Sequence, residues 1–337
     1  MEDRKNQKAE WHYQPQVPIT NNPLFSLPWD WRAILVYHRD YWLTLSEVSF
    51  FLILAVGGFY LHQSQLGDPS QLSFSASLGW AFSVYARNLV LVFLVAGGLH
   101  FALYHRQTQA KEQKYVASFG HRGKGRFTFG RQLFDNMFWS LASGVTIWSA
   151  YEIGLYYALY YEVMATISFA ESPFFFSLIL AVTGMWIAFH FYWGHRFLHL
   201  KPLYKYVHGL HHRNVNIGPW SGISMHPIEH LIYFSSLLVH LFIPTHPIHI
   251  MFHGYMLALS AIIGHAGFHA LIVKGAPRVA LGHFHHQLHH RYFECNYGSV
   301  DFPLDKWFGT FNDGTPEGRS VVRGRRHETH HETRHDA

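Results

Sequence analysis

Three short stretches of histidine have the spacing of metal ligands. His195-Arg-Phe-Leu-His199 is an HX3H pair, and His208-Gly-Leu-His211-His212 and His286-Gln-Leu-His289-His290 are both HX2HH. Residues four apart share one face of a helix, so His195 and His199 can aim two imidazoles at one ion. The HX2HH spacing is expected to gather three imidazoles on one face in the same way. Together the three stretches supply eight imidazoles, and His265, which opens a further HX3H pair with His269, makes nine. That exceeds what one ion needs, since zinc is usually four-coordinate, so two metals are the natural count. Neutral imidazole suits zinc, copper, iron and nickel, and the residues alone do not choose among them.

A further HX2HH lies at His327, His330 and His331. It sits in a charged stretch with no apolar face to anchor a helix, and we read it as incidental. Two copies of His-Glu-X-X-His, His327 to His331 and His331 to His335, lie in the same stretch. The metalloprotease use of that pattern needs a stable helix, which a polar tail does not offer. Glu-X-X-His, the ligand pattern of soluble di-iron bundles, does not occur in the apolar part of the chain.

The elements that hold these residues must lie in lipid. The chain has 337 residues, 49% hydrophobic and only 14% charged, where soluble domains carry roughly a quarter charged. Histidine numbers 29, more than the 26 lysines and arginines together, and nineteen of the 29 lie between His190 and His290. One cysteine, Cys295, excludes an intramolecular disulfide and an all-cysteine zinc or iron–sulfur site. The net charge of +5 does not indicate nucleic acid, because many basic residues flank apolar stretches, where they set topology.

Spans of about 20 apolar residues are expected at residues 42–61, 89–104 (extended back to about 78, across Arg87), 137–157 and 174–193. Residues 231–251 and 255–273 are apolar but broken by Pro244, Pro247 and several histidines, and are expected to form either a re-entrant hairpin or two further spans. The loop 105–132 is rich in Lys and Arg, whereas the stretches 62–77 and 161–172 carry acidic residues only. The positive-inside rule then puts both termini and the histidine-rich region on the cytosolic side. The expected fold is all-α: a multi-pass transmembrane bundle of about four spans with a cytosolic histidine-rich helical cap. Its parts are a loose N-terminal tail (1–28), a transmembrane hairpin with a basic loop (29–134), a catalytic region (135–314) and a disordered polar tail (315–337).

The three boxes, in their order and spacing, resemble the fatty acid hydroxylase/sterol desaturase superfamily. So do their flanks: Tyr192-Trp193, Pro202-Leu203-Tyr204, His226-Pro227-Ile228-Glu229, Asn296-Tyr297-Gly298 and Asp305-Lys306-Trp307-Phe308-Gly309-Thr310. The resemblance covers roughly residues 135–314. It implies a membrane-embedded, non-haem di-iron enzyme that uses dioxygen and two electrons to hydroxylate or desaturate a lipid. By match, the two irons would be held by His195, His199, His208, His211, His212, His286, His289 and His290, with His265 as a further ligand. His226, His269, His190 and Glu229 are weaker candidates, as ligands or as partners of ligands. Many members carry an aspartate seven residues before the first box; here it is Ala188, and His190 is the nearby substitute.

The substrate expected is a fatty acyl lipid, sterol or ether lipid from the bilayer, with Phe191, Tyr192, Trp193 and Trp220 as candidates to line its access. The chain has no GxGxxG, no CxxC and no fused haem motif, so a separate donor of cytochrome b5 or ferredoxin type is implied. Lys201, Lys205 and Arg213 are candidates for its docking face. The competing readings are a desaturase on the same scaffold, a histidine-rich membrane metal-handling protein and a zinc-dependent membrane hydrolase. Neither the host membrane (bacterial inner membrane or endoplasmic reticulum) nor the oligomeric state is legible.

Overall fold

The computed structural model describes residues 11–43, 46–68, 71–120 and 125–322. Four helical stretches are long and apolar enough to cross a membrane: Trp31–Gln65, Phe74–His105, Pro173–Leu198 and Pro247–Gly264. The helices are α1 (Trp31–Trp42), α2 (Glu47–Leu61), α3 (Phe74–His105), α4 (Gln132–Trp139), α5 (Thr146–Tyr160), α6 (Pro173–Leu198), α7 (Lys201–Tyr206), α8 (Pro227–Phe234), α9 (Pro247–Gly264), α10 (Phe284–Tyr292) and α11 (Leu304–Trp307).

The apolar windows of the first three stretches are only 17–22% buried, and that of α9 is 78% buried. A helix that is apolar all round belongs inside, and α2, α3, α5 and α6 pack against α9. In the main core Trp148 stacks on Phe234 and lies edge-on to Tyr255 of α9. Gly254 makes this packing possible, because a Cβ there would lie 2.6 Å from Nε1 of Trp148. Inside the same bundle Arg87 pairs with Glu152. Asn88 donates to Glu152 Oε2 at 2.8 Å and Tyr156 to Oε1 at 2.7 Å, so this buried charge is neutralised in place.

The fold departs from the expected one in four places. The third expected span, 137–157, is helical, but as α4 and α5 joined by a π-helical segment (Ser140–Val145), and it is not among the four apolar stretches; α9 takes that place. The expected hairpin at 231–273 is absent: α8 runs into a 3-10 helix (Ser235–Leu241), Pro247 starts α9, and α9 ends at Gly264. The chain then leaves through Gly267, at φ +76°, into an antiparallel strand pair, β1 (Ala270–Val273) and β2 (Ala276–Ala280). The fold is therefore mostly helical rather than all-α. The turn between the strands is Lys274-Gly275, with φ of 53° and 74°, which suits the twist of a tight hairpin.

The fourth departure concerns the two tails. Residues 11–28 were expected to be loose, yet they pack on the histidine region. Trp11 lies edge-on to Phe284 and under the Arg291 guanidinium. Ile19 N donates to Asp313 O and Asn22 N to Val300 O. Residues 316–322 are helical, with Arg319 and Val322 buried. The motifs at His327, His330, His331 and His335 lie outside the described residues.

Candidate metal centre

Pro173 opens α6 at its first turn, where a missing N–H costs nothing. Its 26 residues carry His195 to the far end, and His199 caps that end. After α7 the chain winds into a short 3-10 helix, His208–Arg213. A third stretch arrives with α10. Nine histidines from these elements and from His265 form two groups: His195, His199, His208, His212 and His289 in one, and His211, His265, His286 and His290 in the other. Within each group the ligand atoms lie within 4.8 Å of one another.

Each HX2HH box is thus divided. His208 and His212 enter the first group and His211 the second; His286 and His290 enter the second and His289 the first. The expectation of three imidazoles on one face fails for a geometric reason. Consecutive residues are about 100° apart around the axis of an α-helix and about 120° apart in a 3-10 helix, so the adjacent pair in each box must diverge. The box that gives two rings to one group gives its third to the other.

Five of the nine rings are also held at the nitrogen facing away from the groups. His195 Nδ1 meets Tyr297 O at 2.6 Å, His289 Nδ1 meets Cys295 O at 2.6 Å, His265 Nδ1 meets Ala261 O at 2.7 Å and His211 Nδ1 meets Ser224 O at 3.3 Å. A carbonyl only accepts, so these four rings carry their proton on Nδ1 and present a bare Nε2. His208 Nδ1 meets Glu229 Oε1 at 2.7 Å, with the same result when Glu229 is a carboxylate.

With Glu229 ionised, His195 and His208 face each other through two bare Nε2 atoms 3.0 Å apart. No hydrogen bond satisfies that contact; a shared cation does. The other converging contacts have the same spacing: His199 to His289 at 3.2 Å, His212 to His289 at 3.0 Å, and His265 and His286 each to His290 at 3.1 Å. Two nitrogens about 2.1 Å from one ion and at right angles to each other lie about 3.0 Å apart. The donor set therefore fits two metal ions, each held by imidazole nitrogen.

Burial keeps these rings neutral, which is the form that binds metal. It pushes His211 down to about 4. It pushes His199 down to about 2, helped by the neighbouring His195 and His211. His212, His286, His289 and His290 are held well below the usual imidazole range by burial and then by one another. Burial raises the Glu229 carboxyl well above the usual range.

Residues 178–310 match the family profile of fatty acid hydroxylase. This part of the chain belongs to the fatty acid hydroxylase/sterol desaturase superfamily. A Delta(7)-sterol 5(6)-desaturase of Gibberella zeae is 34% identical over 129 residues, 37% of this chain and 39% of that protein. A Delta(7)-sterol-C5(6)-desaturase of Nicotiana tabacum is 33% identical over 135 residues, 39% and 48% of the two chains. A very-long-chain aldehyde decarbonylase of Oryza sativa subsp. indica is 32% identical over 133 residues, 37% and 49%. The chain spans less than half the length of these relatives. No solved structure matches.

Of the weaker candidates in this hydroxylase-type domain, Glu229 reaches the first group, through His208. It does not pair with Arg213, which turns to Asp135 and Thr128. His226 caps α8 through Ile228 N and stacks on Trp139. His269 lies against Tyr115 and Tyr13. His190 bonds Ser235 and does not stand in for the residue replaced at Ala188; the Tyr297 carbonyl orients His195 instead.

The carbonyl partners at Ser224, Ala261, Cys295 and Tyr297 were missed, because backbone acceptors leave no side-chain signature. Some of what positions them was visible. Asp305 accepts from Tyr297 N at 2.8 Å and Gly298 N at 2.7 Å, and Asn296, at φ 54°, donates to His285 O and Asn312 O. Of the four aromatics, Phe191 stacks on His195 with centroids 4.9 Å apart, Trp193 is half-exposed, Tyr192 is bonded to Arg196, and Trp220 is buried against Phe93.

Proposed function

We propose that the chain is a membrane-bound, non-haem di-iron oxidoreductase that uses dioxygen to hydroxylate a C–H bond of a fatty acyl lipid, sterol or ether lipid. The observation that carries this reading is the pair of imidazole-only groups whose ring nitrogens converge to about 3 Å from one another. A site of four or five neutral nitrogens and no thiolate suits iron. Its nine imidazoles exceed what a hydrolytic zinc, with three protein ligands and an open position, requires. Desaturation on the same scaffold is the second reading, favoured by the sterol desaturases among the relatives.

His195, His199, His208, His212 and His289 would hold one iron, and His211, His265, His286 and His290 the other. Bound iron supplies the oxidising power that an unactivated C–H bond demands. The protein's part is to position the substrate and to exclude water. Carbonyl and carboxylate contacts fix five of the nine rings, so that little reorganisation of these accompanies binding. Phe191, stacked on His195 and edge-on to Tyr233, offers an apolar wall beside the first group.

The four apolar stretches mark an integral membrane protein. The distribution of Lys and Arg supports placing the histidine groups and both termini on the cytosolic side. Two electrons would come from a separate donor of cytochrome b5 or ferredoxin type. Lys201 and Lys205, both exposed, are its docking candidates, because Arg213 is engaged within the protein.

The test is metal content in detergent. Two irons per chain are expected, with loss on His208→Ala and retention in the His330→Ala/His331→Ala double variant. One zinc per chain, or no metal after iron supplementation, overturns the reading. Mass analysis of co-purified lipids then distinguishes an added oxygen atom from the loss of two hydrogens.

A further inference from the structure

Away from the metal groups, the bundle interior holds a second set of buried histidines and hydroxyls. Ser236 Oγ lies 3.0 Å from His253 Nε2, His253 Nδ1 lies 3.1 Å from His240 Nε2, and His240 Nδ1 lies 3.1 Å from Thr245 Oγ1. All four residues are at most 1% exposed. The Thr245 hydroxyl donates to Ile243 O at 3.0 Å, which fixes the polarity of the chain. His240 must then donate through Nδ1, His253 through Nδ1, and Ser236 through its hydroxyl. Each ring uses one nitrogen as donor and the other as acceptor, so the four groups form an unbroken one-way hydrogen-bonded chain.

The ruler for its position is α6. Near the start of that helix, Phe176 O meets His249, the residue one turn before His253 on α9. Further along, Trp186 Nε1 donates to Ser236 O, and His190 Nε2 meets Ser235 Oγ at 3.0 Å. His195 of the first group follows five residues later, about 7.5 Å of helix rise. At the other end, Thr245 N donates to Ala165 O in the loop before α6. The chain therefore climbs from the loop end of the bundle toward the metal groups.

We propose that Thr245, His240, His253 and Ser236 conduct protons through the bundle interior toward the metal groups. The proposal rests on the oxygenase reading. Hydroxylation converts R–H, dioxygen, two electrons and two protons into R–OH and water. Desaturation converts two C–H bonds, dioxygen, two electrons and two protons into C=C and two waters. Either way two protons are consumed per dioxygen, alongside the two electrons of the protein donor named above. Apolar side chains would join the 3-10 segment to α9 without the cost of burying four polar ones, and histidine chains inside membranes are a recurring form of proton relay. His190, His246 and His249 are the titratable neighbours. Passing a proton from the Thr245 end reverses the chain, so both rings must exchange tautomer between Nδ1–H and Nε2–H.

The test uses the full chain in lipid nanodiscs, with two readouts. Nitrogen-15 NMR of histidine in the metal-free protein should show tautomer exchange at both His240 and His253; one frozen tautomer at each overturns the proposal. Ferrous-loaded protein mixed with dioxygen should reoxidise at least about tenfold more slowly in His253→Phe, with unchanged iron content and loss of the D2O effect. Ser236→Ala gives the same readout if His253→Phe does not fold. An unchanged rate in a folded, iron-loaded variant overturns the proposal. Failure of the wild-type chain to bind two irons overturns the oxygenase reading instead, and the NMR readout still decides whether the chain conducts.

Discussion

His211 and His212 are neighbours in sequence whose rings lie at 80° to each other, with centroids 5.9 Å apart, and each belongs to a different metal group. His289 and His290 repeat the relationship at 82° and 5.9 Å. Each adjacent pair thus acts as a divider between the two groups.

Coupling between variants should follow this division and not the order of the sequence. His212→Ala and His289→Ala touch the same group, so their effects on metal content and melting temperature should be non-additive. His211→Ala and His212→Ala, although adjacent, should each remove a different metal and combine more nearly additively. A double-variant cycle on metal per chain checks this; strong coupling between 211 and 212 with none between 212 and 289 contradicts it.

Glu229 should matter through the ring it holds. Glu229→Gln keeps the shape and removes the carboxylate, and should weaken metal binding about 10- to 100-fold at the first group. Competition with a chelator measures it. The second group should keep its metal, so about one ion per chain remains at intermediate chelator.

Acid should destabilise the metal-free protein. Burial holds His211 at about 4 and His199 at about 2 in the folded state, against about 6.5 unfolded. Between these values the unfolded chain binds more protons than the folded one, so stability falls as pH drops from about 6.5 toward 4. The melting temperature of the metal-free protein should be lower at pH 5 than at pH 7.5. Bound metal should narrow the difference, because it competes with protons for the same nitrogens.

Gly222 should tolerate no side chain. A Cβ there would sit 2.4 Å from Ala261 O and 2.6 Å from Ile262 N, a clash with backbone rather than with a movable side chain. Ala261 O is also the acceptor for His265 Nδ1. Gly222→Ala should therefore lower stability by roughly 1–3 kcal/mol and also weaken the second metal group, read as a lower melting temperature together with a loss of metal per chain.

The nine clustered histidines were legible because spacing at three and four residues encodes a shared helical surface. Their division into two groups was not, since it depends on the angle between adjacent residues and on where His265 arrives from α9. The apolar stretches at α2, α3 and α6 were legible from composition. The path after His253 was obscured, because a buried helix and a chain leaving it through Gly267 into a strand pair are equally apolar. Residues 11–28 read as loose because polar and proline-rich sequence carries no periodicity; their order comes from contacts with residues almost the whole chain away.

Those contacts govern when the site is completed. Gln14 Nε2 donates to Gly314 O at 3.2 Å, a separation of 300 residues, and Ile19 and Asn22 bond to Asp313 and Val300. The third histidine box lies beneath this clasp, through Trp11 on Phe284 and Arg291. During synthesis the early segment must wait, undocked, until nearly all of the chain has emerged. Contacts of such long range form late, so the helices can enter the membrane well before the last histidines are locked in place. The last histidine box is thus the part of the fold that is held in place latest.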